Sequence, residues 1–197
     1  DTARRYLEEA AYGIFAAVPK LGGMIVLSVG EWFTLCCNAG REAVSPCPRC
    51  GDLPPHQVLG MSLRALEKGM HRANPDAELV SWPYTQVFCW GYDASVLASS
   101  HVPPGVALMH NFESFGSRKQ LGRTRKISDY WLSYIGPSPF FEECAERARR
   151  AGTPMFAKLQ VGCSHECATT QYIPVPLNLY RKYRQMRRLG VSGVMQC

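Results

Sequence analysis

The chain has 197 residues, is 46% hydrophobic and carries a net charge of +6. This balance excludes disordered, collagen-like and coiled-coil chains and leaves a globular protein able to bury a core. No apolar run reaches the roughly 18 to 20 residues of a membrane span, and the first residues lack the charged-then-apolar layout of a signal peptide.

"DTARRYLEEAAYGIFAAVPKLGG" sets Tyr6, Ala10, Ile14, Phe15 and Val18 at helical spacing, and Pro19 with the Gly22-Gly23 pair stops it. "MIVLSVG" follows as a short apolar run rich in β-branched residues, the pattern of a strand buried on both faces. "PPHQVLGMSLRALEKGMHRANP" predicts a helix opened by Pro and closed by Asn-Pro, and "AELVSWPYT" the next strand. A shorter helix around "DASVLASSH" leads into the strand "VALMHNFE", which a long loop follows. "PFFEECAERARRAGTP" predicts a helix feeding the strand "MFAKLQVG". Last come the helix "LNLYRKYRQMRRLG" and the strand "VSGVMQC".

Five strands, each preceded by a helix, predict an α/β fold with a parallel sheet, either doubly wound or part of a (β/α)₈ TIM barrel. A doubly wound nucleotide-binding sheet should show a glycine-rich phosphate loop, and neither GxGxxG nor GxxxxGK[ST] occurs. Polar and aromatic residues instead recur just past strand ends, the edge where barrels place their chemistry. The favoured reading is therefore residues 1–197 as a partial barrel catalytic domain, about five of eight strands, with a Cys-rich loop at 36–51. The opening Asp1 and the strand-like close suggest a piece of a longer protein, with three strands expected before Asp1 and a helix after Cys197.

Glycosidic cleavage generally uses two carboxylates, one to protonate the leaving oxygen and one to act as nucleophile or to activate water. Glu31 follows the first strand and Glu166 the fourth. If the last visible strand is the eighth of a barrel, they fall on strands four and seven. Glu113 also ends a strand and competes with either. The bland alternative makes Glu31 a capping or salt-bridged loop residue and Glu166 a solvated charge. Trp32, Trp82 and Tyr84 offer faces for a pyranose ring, though large aromatics are as often core residues. Trp90 is a further such aromatic. His110, Asn111, Glu113 and His165 would bind sugar hydroxyls.

Carried on "LGGMIVLSVGE", "SPCPRC" and "VSGVMQC", the chain resembles the C-terminal half of barrel glycoside hydrolases related to family 20, the β-N-acetylhexosaminidases, and bacterial proteins similar to them. The resemblance implies glycosidase activity without a required cofactor, with a carbohydrate as partner. It places the general acid on Glu31, at a strand end where partial burial would raise its pKa, while the strand-four and strand-seven placement resembles the large retaining clan of barrel glycosidases and implies the acid/base on Glu31 and the nucleophile or stabiliser on Glu166. Gly30 stands where those enzymes carry the Asp that orients an acetamido group, so only the acid role carries over.

Nine cysteines are many for this length, and Cys36, Cys37, Cys47 and Cys50 fall within fifteen residues. "CPRCG" has the shape of a zinc knuckle, and a structural Zn²⁺ takes about four ligands. His56 could serve in place of one thiol. Free thiols or a disulfide are the alternatives, and the uneven spacing favours reduced thiols in a cytoplasmic protein. The charge comes mostly from 117–126, 146–150 and 181–188. The last two sit on predicted amphipathic helices, where a solvated face explains them better than nucleic acid does. A zinc-stapled α/β module that binds a partner or nucleic acid without catalysis is the competing function.

Overall fold

The computed structural model describes residues 2–32, 34–37, 47–162, 164–167 and 170–197. Two units divide it, Asp1–Leu108 and Met109–Cys197. Five strands form a parallel α/β sheet in the order β1 (Gly23–Val26), β2 (Glu78–Ser81), β3 (Val106–Asn111), β6 (Met155–Leu159), β7 (Gly193–Gln196), and the unit boundary falls inside β3. Strand order follows chain order, without the reversal of a doubly wound sheet. Another two strands, β4 (Gly116–Gln120) and β5 (Arg123–Ile127), form an antiparallel hairpin.

In the first unit, α1 (Thr2–Ala17) packs on α2 (Pro55–Ala73). Phe15 of α1 joins Leu59, Leu63 and Met70 of α2 and Leu79 of β2 in one buried cluster. The helix spacing read from the sequence put Phe15 on the inward face, and it is fully buried. Pro54 and Pro55 open α2 where an N–H would lack an acceptor anyway. Asn74 closes it in an extended conformation, its amide donating to the Leu21 carbonyl at 3.0 Å and its Oδ1 accepting from Asp76 N at 3.2 Å. That turn delivers the chain into β2, where Met24 faces Leu79 and Val80 faces Ala107 in parallel register. Two short helices, α3 (Gln86–Trp90) and α4 (Tyr92–Ala98), link β2 to β3, and only the second was predicted.

In the second unit, α5 (Pro139–Ala151) begins at Ser138, whose hydroxyl accepts from Phe141 N at 3.1 Å, and ends at Gly152 in the left-handed region. It feeds β6, which pairs in parallel with β7, and α6 (Pro176–Arg188) connects them.

Two expectations change. The run at 24–30 is not a strand buried on both faces: β1 stops at Val26, lies at the edge of the sheet and leaves Ile25 and Leu27 exposed. The long loop after β3 holds the β4–β5 hairpin. Its turn, Leu121-Gly122, has both residues at positive φ, the backbone of a two-residue hairpin loop, but Leu at the first place hides the usual Asn-Gly signal.

Packing of α1 on α2 requires Gly69, because a Cβ there would collide with the Glu8 backbone carbonyl. Gly69→Ala is expected to cost about 1–3 kcal/mol through overpacking. Gly13→Ala, where a Cβ meets nothing within 4 Å on the same helix pair, should instead gain about 0.5–1 kcal/mol from lost backbone freedom in the unfolded chain. Urea denaturation of both variants checks the opposite signs.

Candidate functional site

The end of β3 and the chain just past it carry His110, Asn111 and Glu113, and β6 carries Lys158. The second unit gathers them, with Asp129 and Lys182, into a buried polar centre. Asn111 donates to Asp129 Oδ2 at 2.9 Å, and Tyr130 N donates to Asp129 Oδ1 at 2.9 Å. Lys158 Nζ lies 3.4 Å from the same carboxylate and 3.1 Å from the centroid of the Tyr130 ring, so its charge meets a carboxylate and a π face. Lys182, from α6, forms an ion pair with Glu113 Oε1 and donates to the Trp131 carbonyl at 2.9 Å. Glu113 is 0% exposed, and among the described residues its Oε2 has no hydrogen-bond partner.

Loss of water dominates the electrostatics of this centre. Burial pushes the Glu113 and Asp129 carboxyls up and the Lys158 and Lys182 amines down, against the opposing pull of each partner. His110 is buried edge-on against Phe140, and burial alone pushes its imidazole down to about 3, so it is neutral.

Glu166 sits at the rim, on a 3-10 turn at His165–Cys167 after β6, and is exposed. Its carboxylate accepts from Ser133 N at 2.8 Å, from the Ser133 hydroxyl, and from the Ser164 hydroxyl at 3.1 Å. Beside it the His165 and Tyr130 rings lie 4.5 Å apart, and His165 N donates to the Tyr130 carbonyl at 2.7 Å. This is an ionisable group held in one orientation by neutral donors.

Glu31, Trp32, Trp82 and Tyr84 belong to the first unit. Thr85 pins their loop, its hydroxyl donating to the Gly30 carbonyl at 2.7 Å and its N–H to the Val29 carbonyl at 3.0 Å. Thr34 closes the turn by accepting from Gly30 N at 3.2 Å and donating to the Ser28 carbonyl at 3.2 Å. The expected partial burial of Glu31 is not found. It is exposed, as is Trp32 at 83%, because β1 ends several residues earlier. Trp82 and Tyr84 are half-buried with ring centroids 5.2 Å apart. Trp90 lies in α3 and packs on the first unit's core, and its indole donates to the Cys37 carbonyl at 3.0 Å. It is not a strand-end residue.

Cys36, Cys47 and Cys50 bring their Sγ atoms within 4.8 Å of one another. A tetrahedral zinc with bonds of about 2.3 Å sets its sulfurs roughly 3.8 Å apart, so small side-chain adjustments would close the set. The 47–53 turn is fixed by Gly51 N donating to the Cys47 carbonyl at 2.7 Å and Leu53 N to the Cys50 carbonyl at 3.1 Å. Hydrogen bonding from the Arg49 backbone and from Cys50 brings the Cys47 thiol down to about 7, whereas the interaction with Cys47 pushes Cys50 up to about 12. Cys47 is thus the thiol of the group most easily converted to the thiolate that binds metal. Cys37 is not part of that group, and burial pushes its thiol up to about 11. His56 stacks on His101 at 4.2 Å and does not join either. Residues 38–46 of the Cys-rich loop lie outside the described residues.

Asp129, Ser133, Lys158 and Lys182 were not singled out from the sequence. The available signals were a lysine inside the apolar strand "MFAKLQV" and a lysine four residues before Met186 on one helix face. No family model matches the chain, and neither a curated protein nor a solved structure does. Among the described residues, no helix is long and apolar enough to cross a membrane.

Removing one member of a buried ion pair strands the other charge and costs about 3–5 kcal/mol, whereas replacing both with apolar groups is often close to neutral. Lys182→Met and Glu113→Leu should each unfold at markedly lower denaturant, and the double variant at higher denaturant than either single one. Chemical denaturation of the three proteins measures that coupling.

Proposed function

We propose that the chain is part of a glycoside hydrolase-like (β/α)₈ barrel that cleaves a glycosidic bond with strand-end carboxylates. The observation that carries this is Glu166, an exposed carboxylate oriented by Ser133 and Ser164 beside the Tyr130 and His165 rings. Glu166 serves as nucleophile or electrostatic stabiliser and Glu31 as general acid/base. His110, Asn111, Glu113 and His165, with the faces of Trp32, Trp82 and Tyr84, hold the sugar. Winding of the sheet in chain order supports a barrel over a doubly wound architecture. Burial of Glu113, which favours its protonated form, makes that residue the rival for the acid role.

Glu166→Gln should lower turnover about 10²–10⁴-fold with the fold intact by circular dichroism. Glu31→Gln should lose far more activity on sugar leaving groups than on nitrophenyl glycosides, because a good leaving group needs no proton. If Glu113→Gln shows that selectivity and Glu31→Gln does not, the acid is Glu113.

A second reading rests on the thiol geometry: Cys36, Cys47 and Cys50 hold a structural zinc that braces the 36–51 loop. The metal would supply cross-linking of that loop and no catalytic step. Metal analysis of the purified chain should give one zinc per molecule, lost in Cys47→Ser, and chelation should lower the melting temperature. Stoichiometric zinc together with full function in Glu31→Gln would favour the non-enzymatic binding module.

A further inference from the structure

Between Glu113 and Asp129 the chain leaves the buried centre, runs out and back as the β4–β5 hairpin, and returns. No acidic residue lies in residues 114–128, while Arg118, Lys119, Arg123, Arg125 and Lys126 all do, and all five are exposed. The hairpin is a fixed ribbon. Phe115 N donates to the Ile127 carbonyl at 3.0 Å, and Gly116 N to the Glu113 carbonyl at 3.1 Å. Ile127 is buried at its base. At about 3.4 Å per residue each five-residue strand spans roughly 17 Å, the length of several sugar units.

The ribbon's register is electrostatically unfavourable on its own. Arg118 faces Arg125 directly, and Gln120 faces Arg123 on the same face. Like charges opposite one another destabilise a sheet. Several cations on the helices are compensated: Arg149 and Arg150 pair with Glu146, and Arg188 pairs with Glu142. Among the described residues no salt bridge engages a ribbon cation. The ribbon is also joined to the site. Arg118 Nη1 donates to the Ser133 hydroxyl at 2.7 Å and to the Ser133 carbonyl at 3.2 Å, and the same Ser133 donates from its N–H and hydroxyl to Glu166. The cationic track thus begins at the serine that orients the candidate nucleophile.

We infer that the β4–β5 ribbon is a binding track for a polyanionic polysaccharide, one bearing carboxylates or sulfates, which it leads toward Glu166. The inference rests on the glycosidase reading for the role of Glu166, and it names the substrate class of that site. The sugar's anions supply the charges that Arg123, Arg125, Lys119 and Lys126 lack within the protein.

The test is calorimetric titration of the full chain with polygalacturonate and chondroitin sulfate, with neutral dextran and a duplex DNA alongside, between about 50 and 200 mM salt. The acidic glycans should bind, weakening steeply with salt, and dextran should not. A variant with Lys119, Arg123, Arg125 and Lys126 all changed to Gln should lose about tenfold or more in affinity, with a smaller loss in Arg123→Gln/Lys126→Gln. A helix variant, Arg149→Gln/Arg150→Gln, should bind as wild type. Unchanged affinity in both ribbon variants, equal binding of dextran, or tighter binding of DNA than of either acidic glycan overturns the inference. Ribbon-dependent binding without any hydrolysis would sink the hydrolase reading while leaving the track. Hydrolysis of a neutral glycan that ignores the ribbon would do the reverse.

Discussion

Lys182 enters the interior of the second unit on α6 with its ammonium wholly out of water, and the surroundings are organised so that this charge is not left alone. Desolvating an ammonium costs several kcal/mol even after relaxation, so a partner must be fixed in place before the helix can dock. Glu113, just past β3, is that partner, and the Trp131 carbonyl takes a second proton. Lys158 on β6 imposes the same requirement and is met by Asp129 and the face of Tyr130. Two buried cations therefore dictate where residues 113, 129, 130 and 131 must lie. Those positions bracket the hairpin and lead into the Ser133 loop that holds Glu166.

This centre is costly as a device for stability alone, since apolar residues of like volume would do as well. Its value lies in placement. A carboxylate such as Glu166 that must face solvent and still keep one orientation needs donors that do not move. Ser133 and Ser164 are such donors, and Ser133 lies four residues from Asp129 and two from Trp131, both anchored on the buried pairs. The buried charges thus reach Glu166 indirectly, by fixing the loops that carry its donors. Glu113 keeps one buried oxygen without a hydrogen-bond partner among the described residues.

The elements were legible because their signals are local. Pro55 and Asn74 bound α2, Ser138 and Gly152 bound α5, and the apolar runs marked the parallel strands. Glu113 lies just past β3 as read, whereas Glu166 lies seven residues beyond β6, on a 3-10 turn that the apolar run before it does not announce. The buried centre was not legible, since nothing in a sequence announces that Lys158 will meet a carboxylate 29 positions away. Lys182 was hidden by its neighbours: in "RKYRQMRR" it looks like one more solvated cation, yet it shares a buried stripe with Met186, while Arg181, Arg184 and Arg188 face water. The hairpin was missed because Leu121 occupies a left-handed position that normally advertises itself with Asn or Gly. Partial burial of Glu31 was expected from an apolar run whose strand ends early, at the sheet edge, where the remaining apolar residues no longer pair.

The net charge of +6 becomes informative once its cations are sorted by environment. Those on α2, α5 and α6 that pair with Glu8, Glu9, Glu146 and Glu142 are compensated locally and contribute little to any long-range field. Lys158 and Lys182 are neutralised inside. Arg118, Lys119, Arg123, Arg125 and Lys126 are five like charges on a ribbon of ten paired residues that contains no acidic residue. A surplus spread over a surface mainly keeps a protein soluble, whereas one concentrated on a rigid projection creates a directed potential. Because that projection starts and ends at the two carboxylates of the buried centre, the ribbon's charges and the buried ion pairs share one origin in the chain.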